Sequence, residues 1–483
     1  SNGGSGIDLS GPVMDRALFH IDNVYKWRDL RAEGIVCKTE QPPHTAYRGF
    51  GGPQSMAVVE HVVTVLADKL AVDVHELRRN NFYKEEEETH FGQKLIRWNV
   101  PRAWDELKVS TEFEKRQESV KEFNKKNKYR KQGIVMLPTK FGIAFTAKFM
   151  NQGGALVHVY TDGTVLVSHG GTEMGQGLHT KICQITAQAF NIPLSHVFID
   201  ESSTDKVPNA QPSAASMSTD LYGMATLDAC QKILKNLEPI KKKLPPDATF
   251  KDIASAAFFE RIHLSAHGFW TLPEERCGYD FTLARGTPNA ERGHPFNYFT
   301  QGVATAHVEI DVLTGDCKPL RCDVVVDVGS SVNPAIDIGQ IEGAFVQGMG
   351  WSTLEELIWA DKDHGWVRPA GRLFTSGPGF YKIPSFNDTP EEFNVSLMTG
   401  VDNPFAVASS KAVGEPPFFL GTCVYYAILD AVKAAREEFG RRRDEEFVLS
   451  MPASSERIRM ACADEIAVEG CLGKKDFVAK GSF

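Results

Sequence analysis

The stretch ALVHVYTDGTVLVSHGGTEMGQG, residues 155–177, decides the fold class. Val157 and Val159, then Val165 and Val167, alternate with their neighbours on either side of Asp162-Gly163. Period-two alternation marks a half-buried strand, and Asp-Gly between two such runs is a tight hairpin signal. The second strand runs straight into a glycine-rich loop and then into a segment with Ile182, Ile185 and Phe190 at helical spacing. Glycines between strand and helix let backbone N–H groups approach an anion, and a helix N-terminus favours negative charge. Gln176, between Gly175 and Gly177, could hydrogen-bond the edge of a cofactor. The alternative is a tight strand-to-helix turn with no ligand.

Moving outward, residues 306–327 repeat the pattern as a hairpin around Thr314-Gly315-Asp316, followed by a glycine-punctuated helix over 337–349. The match is a loose pseudo-repeat of strand, turn, strand, Gly loop and helix. Upstream, residues 12–26 are expected to form a helix with Met14, Leu18 and Ile21 on one face. Arg48-Gly49-Phe50-Gly51-Gly52-Pro53 then opens a second helix carrying Met56, Val59, Val62, Val63 and Leu66. Charge-rich residues 84–88 and 112–131 are expected on solvated helix faces and connections. A last helix covers 418–439, with basic residues 441–443 at its C-terminal end, where cations are favoured. The class is α+β, with mixed sheets and hairpins against packed helices. A boundary near Leu137 divides the chain into 1–136 and 137–483.

Composition excludes much. The 483 residues are 42% hydrophobic and 24% charged, an ordinary globular profile, and 53 Lys+Arg against 62 Asp+Glu give a net charge of -9. A basic footprint for nucleic acid is missing at whole-chain level. Mean hydropathy is -0.25, and no apolar run approaches the ~20 residues of a membrane helix. The first residues show no signal-peptide pattern, so no membrane partner is expected. Nine cysteines, none in a C-x-x-C pair, exclude zinc ribbons, thioredoxin-type motifs and clustered iron–sulfur ligands. The closest pair, Cys317 and Cys322, is expected to flank a turn. Dispersed thiols fit a reducing compartment, and the expected location is cytoplasmic.

Other stretches carry candidate chemistry. In 410–417, Glu415 stands between Gly414 and two prolines that fix the backbone, as a general base requires, or it is a helix-start carboxylate favoured by the macrodipole. In 211–218, small residues and hydroxyls suit close packing against a large flat ligand, or merely a helix start. Phe50, among glycines, stacks on something or plugs a core. His90, His169 and His179 are read as structural. H-E-x-x-H, G-x-S-x-G and Walker A patterns do not occur.

Taken together, residues 45–54, 138–143, 170–177, 333–340 and 410–417 resemble, in order, the molybdenum-cofactor portion of the xanthine dehydrogenase family of molybdenum hydroxylases. The resemblance implies a molybdopterin-binding α+β fold and assigns roles. Glu415 matches the base that deprotonates a Mo–OH, whose oxygen attacks an electron-poor ring carbon while hydride passes to Mo=S. Arg16 matches the arginine that steadies negative charge on a purine carbonyl. Phe50 and Phe145 match the aromatics that sandwich the ring, Thr146 their polar neighbour, and Met150 an apolar channel residue. Ala214 and Ala215 match the small pair beside the purine. Arg48, Gly175, Gln176, Gly177, Ala215, Ser216, Gln340 and Gly414 match positions around the molybdopterin, with the metal held by the pterin dithiolene and by no side chain.

The expected activity is hydroxylation of hypoxanthine to xanthine and of xanthine to urate. The alternatives are an aldehyde oxidase or other N-heterocycle hydroxylase of the family, or a scaffold and dimerisation module; Arg16 argues against aldehyde oxidase. The family's two 2Fe-2S clusters, its FAD domain and the first part of its molybdenum region have no counterpart in this sequence. The chain is therefore expected to be a C-terminal portion, inactive alone, whose full enzyme is a homodimer passing electrons to NAD.

Overall fold

In this computed structural model, which describes residues 3–283, 287–362 and 364–470, both hairpins form. Strands β2 (Gln152–Val159) and β3 (Val165–His169) pair with Val157 opposite Val167 and Val159 opposite Val165. The other strands are β1 (Arg130–Ile143), β4 (Val197–Ile199), β5 (Ser265–Thr271), β6 (Tyr298–Asp311), β7 (Cys317–Asp327) and β8 (Glu392–Leu397). The early helices are α1 (Ser10–His20), α2 (Gly52–Leu70), α3 (Val74–Asn80), α4 (Val100–Ser110), α5 (Phe113–Lys126) and α6 (Leu178–Phe190). After them come α7 (Ser218–Lys241), α8 (Phe250–Phe259), the short α9 (Asn289–Arg292), α10 (Pro334–Thr353), α11 (Cys423–Glu438) and α12 (Ser455–Ala461).

The strands build two four-stranded sheets of one plan, ordered β5-β2-β3-β4 and β1-β6-β7-β8. In each, an antiparallel hairpin is flanked on one side by an antiparallel strand and on the other by a parallel one. The parallel strand arrives only after a helix, α6 before β4 and α10 before β8, because a parallel pair needs a crossover. The loose repeat in the sequence is thus a repeated architecture.

The repetition extends to atomic detail. A Cβ on Gly268 of β5 would lie 1.9 Å from the Ala225 carbonyl oxygen and 2.8 Å from the Ala229 nitrogen of α7. A Cβ on Gly133 of β1 would lie 2.0 Å from the Ala427 oxygen and 2.7 Å from the Ala431 nitrogen of α11. Each helix also sends an aspartate to the N–H after that glycine: Asp228 to Phe269 at 3.0 Å, Asp430 to Ile134 at 3.3 Å. Both helices therefore read Ala-x-Leu-Asp-Ala across the contact. The helices lie against backbone, with no side chain between.

Three apolar cores follow. One joins β2, β3 and β4 to α6, α7 and α8 through Val157, Val167, Ile182 and Ile233. A second joins β6 and β7 to α10 and α11 through Val308, Val324, Phe345 and Ile428. The third, rich in rings, gathers Phe19, Phe141, Phe145, Phe296 and Phe299 between α1, β1 and β6. Each such side chain, fully buried, contributes about 1.5–3 kcal/mol. The helical run Pro416–Glu438 is long and apolar enough to cross a membrane, but it is 89% buried as a core element.

Two sequence expectations shift. The first helix stops at His20 instead of continuing to 26. Asn23 turns into the left-handed region, and Asp22 is drawn inward by buried Lys140, 2.7 Å away. Cys317 and Cys322 do not flank a turn but lie on one strand, β7. The eight cysteines among the described residues are free thiols; Cys471 lies outside them.

Candidate functional site

Arg16, Phe50, Ser216, Gln340 and Glu415, far apart in sequence, come from segments that the fold brings together. At residues 49–51 the chain takes φ of 97°, 48° and 97°, three left-handed residues in a row. Gly51 cannot carry a side chain, since its Cβ would fall 2.1 Å from the Val13 carbonyl of α1. Phe50 pays the left-handed cost of about 1–2 kcal/mol. This turn points the Gly49 N–H at Glu415 Oε1, 3.1 Å away.

Ala215 and Ser216 are also left-handed, with φ of 53° and 57°. Ser216 Oγ donates to Glu415 Oε2 at 3.1 Å and accepts from the Glu415 N–H at 2.9 Å. Such strain gathered around one carboxylate is typical of functional sites. The loop carrying Glu415 is anchored deeply. Lys411 Nζ meets Asp327 Oδ2 at 2.6 Å, both buried. The Ala412 carbonyl accepts from Thr300 Oγ1 at 2.7 Å, and its N–H donates to the Tyr298 hydroxyl at 2.9 Å. Tyr298 in turn donates to buried Asp220 at 2.7 Å. Burial raises the Asp220 carboxyl to about 7, against the opposing pull of the Tyr298 bond and Lys181.

Two arginines flank Glu415. Arg48 donates from Nε to the Gly414 carbonyl at 2.6 Å, from Nη1 to Gln347 Oε1 at 3.1 Å and from Nη2 to Gln340 Oε1 at 3.2 Å. Arg16 is only 2% exposed. Its Nη1 donates to the Gly142 carbonyl at 2.8 Å, its Nη2 to the Ala144 carbonyl, and its Nε has no partner. The guanidinium stands 5.2 Å from the ring centres of both Phe141 and Phe296. Burial lowers the proton affinity of both arginines, and the Glu415 charge opposes that in each case.

Phe145, just past β1, is buried, and Met150 and Ala215 pack on the same aromatic core. Phe50, Thr146 and Gly414 are half-buried, whereas Ala214 is exposed. The loop over 170–177 joins the assembly through Thr172 N–H, which donates to Ser213 Oγ at 2.7 Å. Gln176 is the exception: it folds onto its own loop, accepting from Met174 N–H at 2.5 Å and donating to the Thr172 carbonyl at 2.7 Å.

Sequence reasoning missed several groups. Glu173 takes the amides that the glycine loop was expected to offer an anion, accepting from Gly175 at 2.8 Å and from Gly177 and His179 at 3.0 Å. Burial works against its charge, but these N–H donors outweigh it and the carboxyl is held below its usual range. Its place in the loop a few residues ahead of α6 was the available signal. Gln347, Tyr298 and Asp220 act through contacts more than 70 residues distant, for which no local pattern exists.

Residues 1–82 and 106–390 match family models described as molybdopterin cofactor-binding domain. The chain is 55% identical over 466 residues to a xanthine dehydrogenase of Oryza sativa subsp. japonica, covering 96% of this chain and 33% of that protein. It is 50% identical to a xanthine dehydrogenase/oxidase of Rattus norvegicus, covering 96% and 34%. The chain thus spans about a third of the length of the curated relatives it matches. Among solved structures, quinoline 2-oxidoreductase from Pseudomonas putida 86 superposes with TM-score 0.79 at 20% identity, over 96% of this chain and 59% of that one. An aldehyde oxidoreductase from Desulfovibrio desulfuricans gives 0.75 at 24% identity, over 94% and 45%. These two likenesses establish the fold alone.

Proposed function

Because the chain belongs to the molybdopterin cofactor-binding domain family, and within it to the molybdenum-binding portion of the xanthine dehydrogenases, we propose that it oxidises purines, taking hypoxanthine to xanthine and xanthine to urate. The observation that carries this reading is the Glu415 carboxylate, gripped by Gly49 N–H and Ser216 Oγ and flanked by Arg16 and Arg48.

The residues present fit a molybdopterin. Gln54 Oε1 and Arg16 Nε are buried without partners. Gly175, Gly339 and Gly343 have no atom within 4 Å of a would-be Cβ, leaving open backbone beside Gln176 and Gln340. Arg48, Gln340, Gly414, Ser216 and the 175–177 backbone would hold it. When bound, the molybdenum centre supplies a water-derived oxygen and accepts the electrons removed from the substrate. Glu415 takes and holds the proton from that oxygen, its orientation fixed before substrate arrives. Arg16 stabilises negative charge growing on a purine carbonyl, inside a low-dielectric aromatic wall where such charge is worth most. Phe50 and Phe145 hold the ring flat, with Thr146, Met150, Ala214 and Ala215 bounding it.

In a longer polypeptide of the kind the relatives form, 2Fe-2S clusters and FAD would carry the electrons on to NAD, and turnover is assigned to that assembly. Val58, Val62, Leu66 and Leu70, spaced by one turn along α2, are exposed at 55%, 42%, 40% and 62% and support a covering partner of that kind. A homodimer in the cytoplasm is the expected assembly. The test is Arg16→Met in the full-length enzyme, assayed with xanthine and with a simple aldehyde. Purine oxidation should fall about 10²-fold or more, aldehyde oxidation far less; equal losses would overturn the purine assignment.

A further inference from the structure

His20 lies one helical turn after Arg16 on α1 and is fully buried. Its Nδ1 stands 2.8 Å from the Arg16 carbonyl oxygen, and its Nε2 stands 3.0 Å from the Gly142 nitrogen. A carbonyl can only accept and a backbone N–H can only donate, so Nδ1 must carry the proton and Nε2 must be the bare acceptor. The imidazole is therefore held neutral in a single tautomer. The carbonyl of that same Gly142 accepts from Arg16 Nη1 at 2.8 Å. Arg16 backbone, His20 ring, the N–H and C=O that Gly142 contributes, and Arg16 guanidinium thus form a closed circuit.

The surroundings reinforce it. The ring packs 4.9 Å from Phe141 and 5.4 Å from Phe296, the two aromatics that also face the guanidinium. The charged groups near it are Arg16, Lys140 and Asp22. Burial, then the positive charge of Arg16, pushes the imidazole down to about 3, so it stays neutral at every working pH. Without the ring, the end of β1 loses one of its ties to α1. The Gly142 carbonyl, which fixes one edge of the guanidinium plane, would then be held by the β1–β6 ladder alone.

We propose that His20 is the positioning residue for Arg16, setting the guanidinium's orientation toward substrate by holding the Gly142 backbone between them. This rests on the reading of Arg16 as the purine-directed cation. The test uses full-length molybdenum-loaded enzyme carrying His20→Leu, His20→Gln, Arg16→Met and the double variant Arg16→Met/His20→Leu. His20→Leu should lower kcat/KM for xanthine about ten-fold or more, aldehyde turnover by much less, and weaken urate binding in titration calorimetry in parallel. His20→Gln, which keeps an acceptor for the Gly142 N–H, should recover part of the loss. The double variant should be no worse on xanthine than Arg16→Met alone, because two residues acting as one unit are not additive. Additive losses, or a Gln variant no better than Leu, would overturn the role of His20. An Arg16→Met variant that impairs both substrates equally would overturn the purine reading while leaving the non-additivity to judge His20 separately.

Discussion

Ser216 and Glu415 hold each other twice, the Glu415 N–H donating to Ser216 Oγ at 2.9 Å while that hydroxyl donates to Glu415 Oε2 at 3.1 Å. Backbone and carboxylate of one residue are thereby tied to a single side chain of another. With Gly49 N–H on the second oxygen, the carboxylate has little rotational freedom left before substrate binds.

Glu415→Ala in the full-length enzyme should reduce kcat by about 10²–10⁴-fold, the range for loss of a positioned base, with molybdenum content unchanged. Ser216→Ala should cost less, about ten-fold, by loosening one of two grips. Steady-state kinetics alongside metal analysis separate the two effects. Full activity in Glu415→Ala would end its candidacy as base.

Asp220 gives a pH dependence with a definite sign. Its folded-state carboxyl titrates near 7 against an ordinary value of 3.8. Between those values the folded chain binds more protons, so this group's stabilisation is complete below about pH 4 and is lost as pH rises through 7. Asp220→Asn, which keeps an acceptor for Tyr298, removes that loss. Relative to the parent, the variant should gain roughly 3–4 kcal/mol on moving from pH 4 to pH 8. Thermal unfolding at both pH values checks it, and a difference that does not change with pH would rule it out.

The Lys411–Asp327 pair is 2% and 0% exposed, so removing one member strands a buried charge. Lys411→Met should destabilise by about 3–5 kcal/mol and displace the Glu415 loop. Pairing it with Asp327→Asn should restore much of the stability, because no uncompensated charge remains. Unfolding midpoints of the two variants decide it.

Gly133→Ala and Gly268→Ala should each cost about 2 kcal/mol or more, since the new methyl would stand 2.0 Å and 1.9 Å from helix carbonyl oxygens. Lower unfolding temperatures of similar size in both variants are the expected result; an unchanged midpoint in either would show that the helix can move aside.

Much of the frame was legible in advance because it is local. Val157 to Val167 announced a hairpin by alternation, and Gly52-Pro53 announced the start of α2. Helix α1 was overextended because Asp22 answers to Lys140, a residue more than a hundred positions away, and no period in the sequence encodes that. Phe50, Ser216 and Glu415 could be singled out by composition, but their convergence needed either a family resemblance or the fold itself. The glycine loop suggests amides open to an external anion, yet Glu173 within the same loop occupies them, and glycine spacing alone does not distinguish the two.

The repeated plan of the two sheets means that Ser216 and Glu415 meet at a seam between near-copies: the loop ahead of α7 carries Ser216, the one ahead of α11 carries Glu415. The grip on the carboxylate therefore spans the seam, the loop of one copy supplying the hydroxyl that fixes the acid of the other.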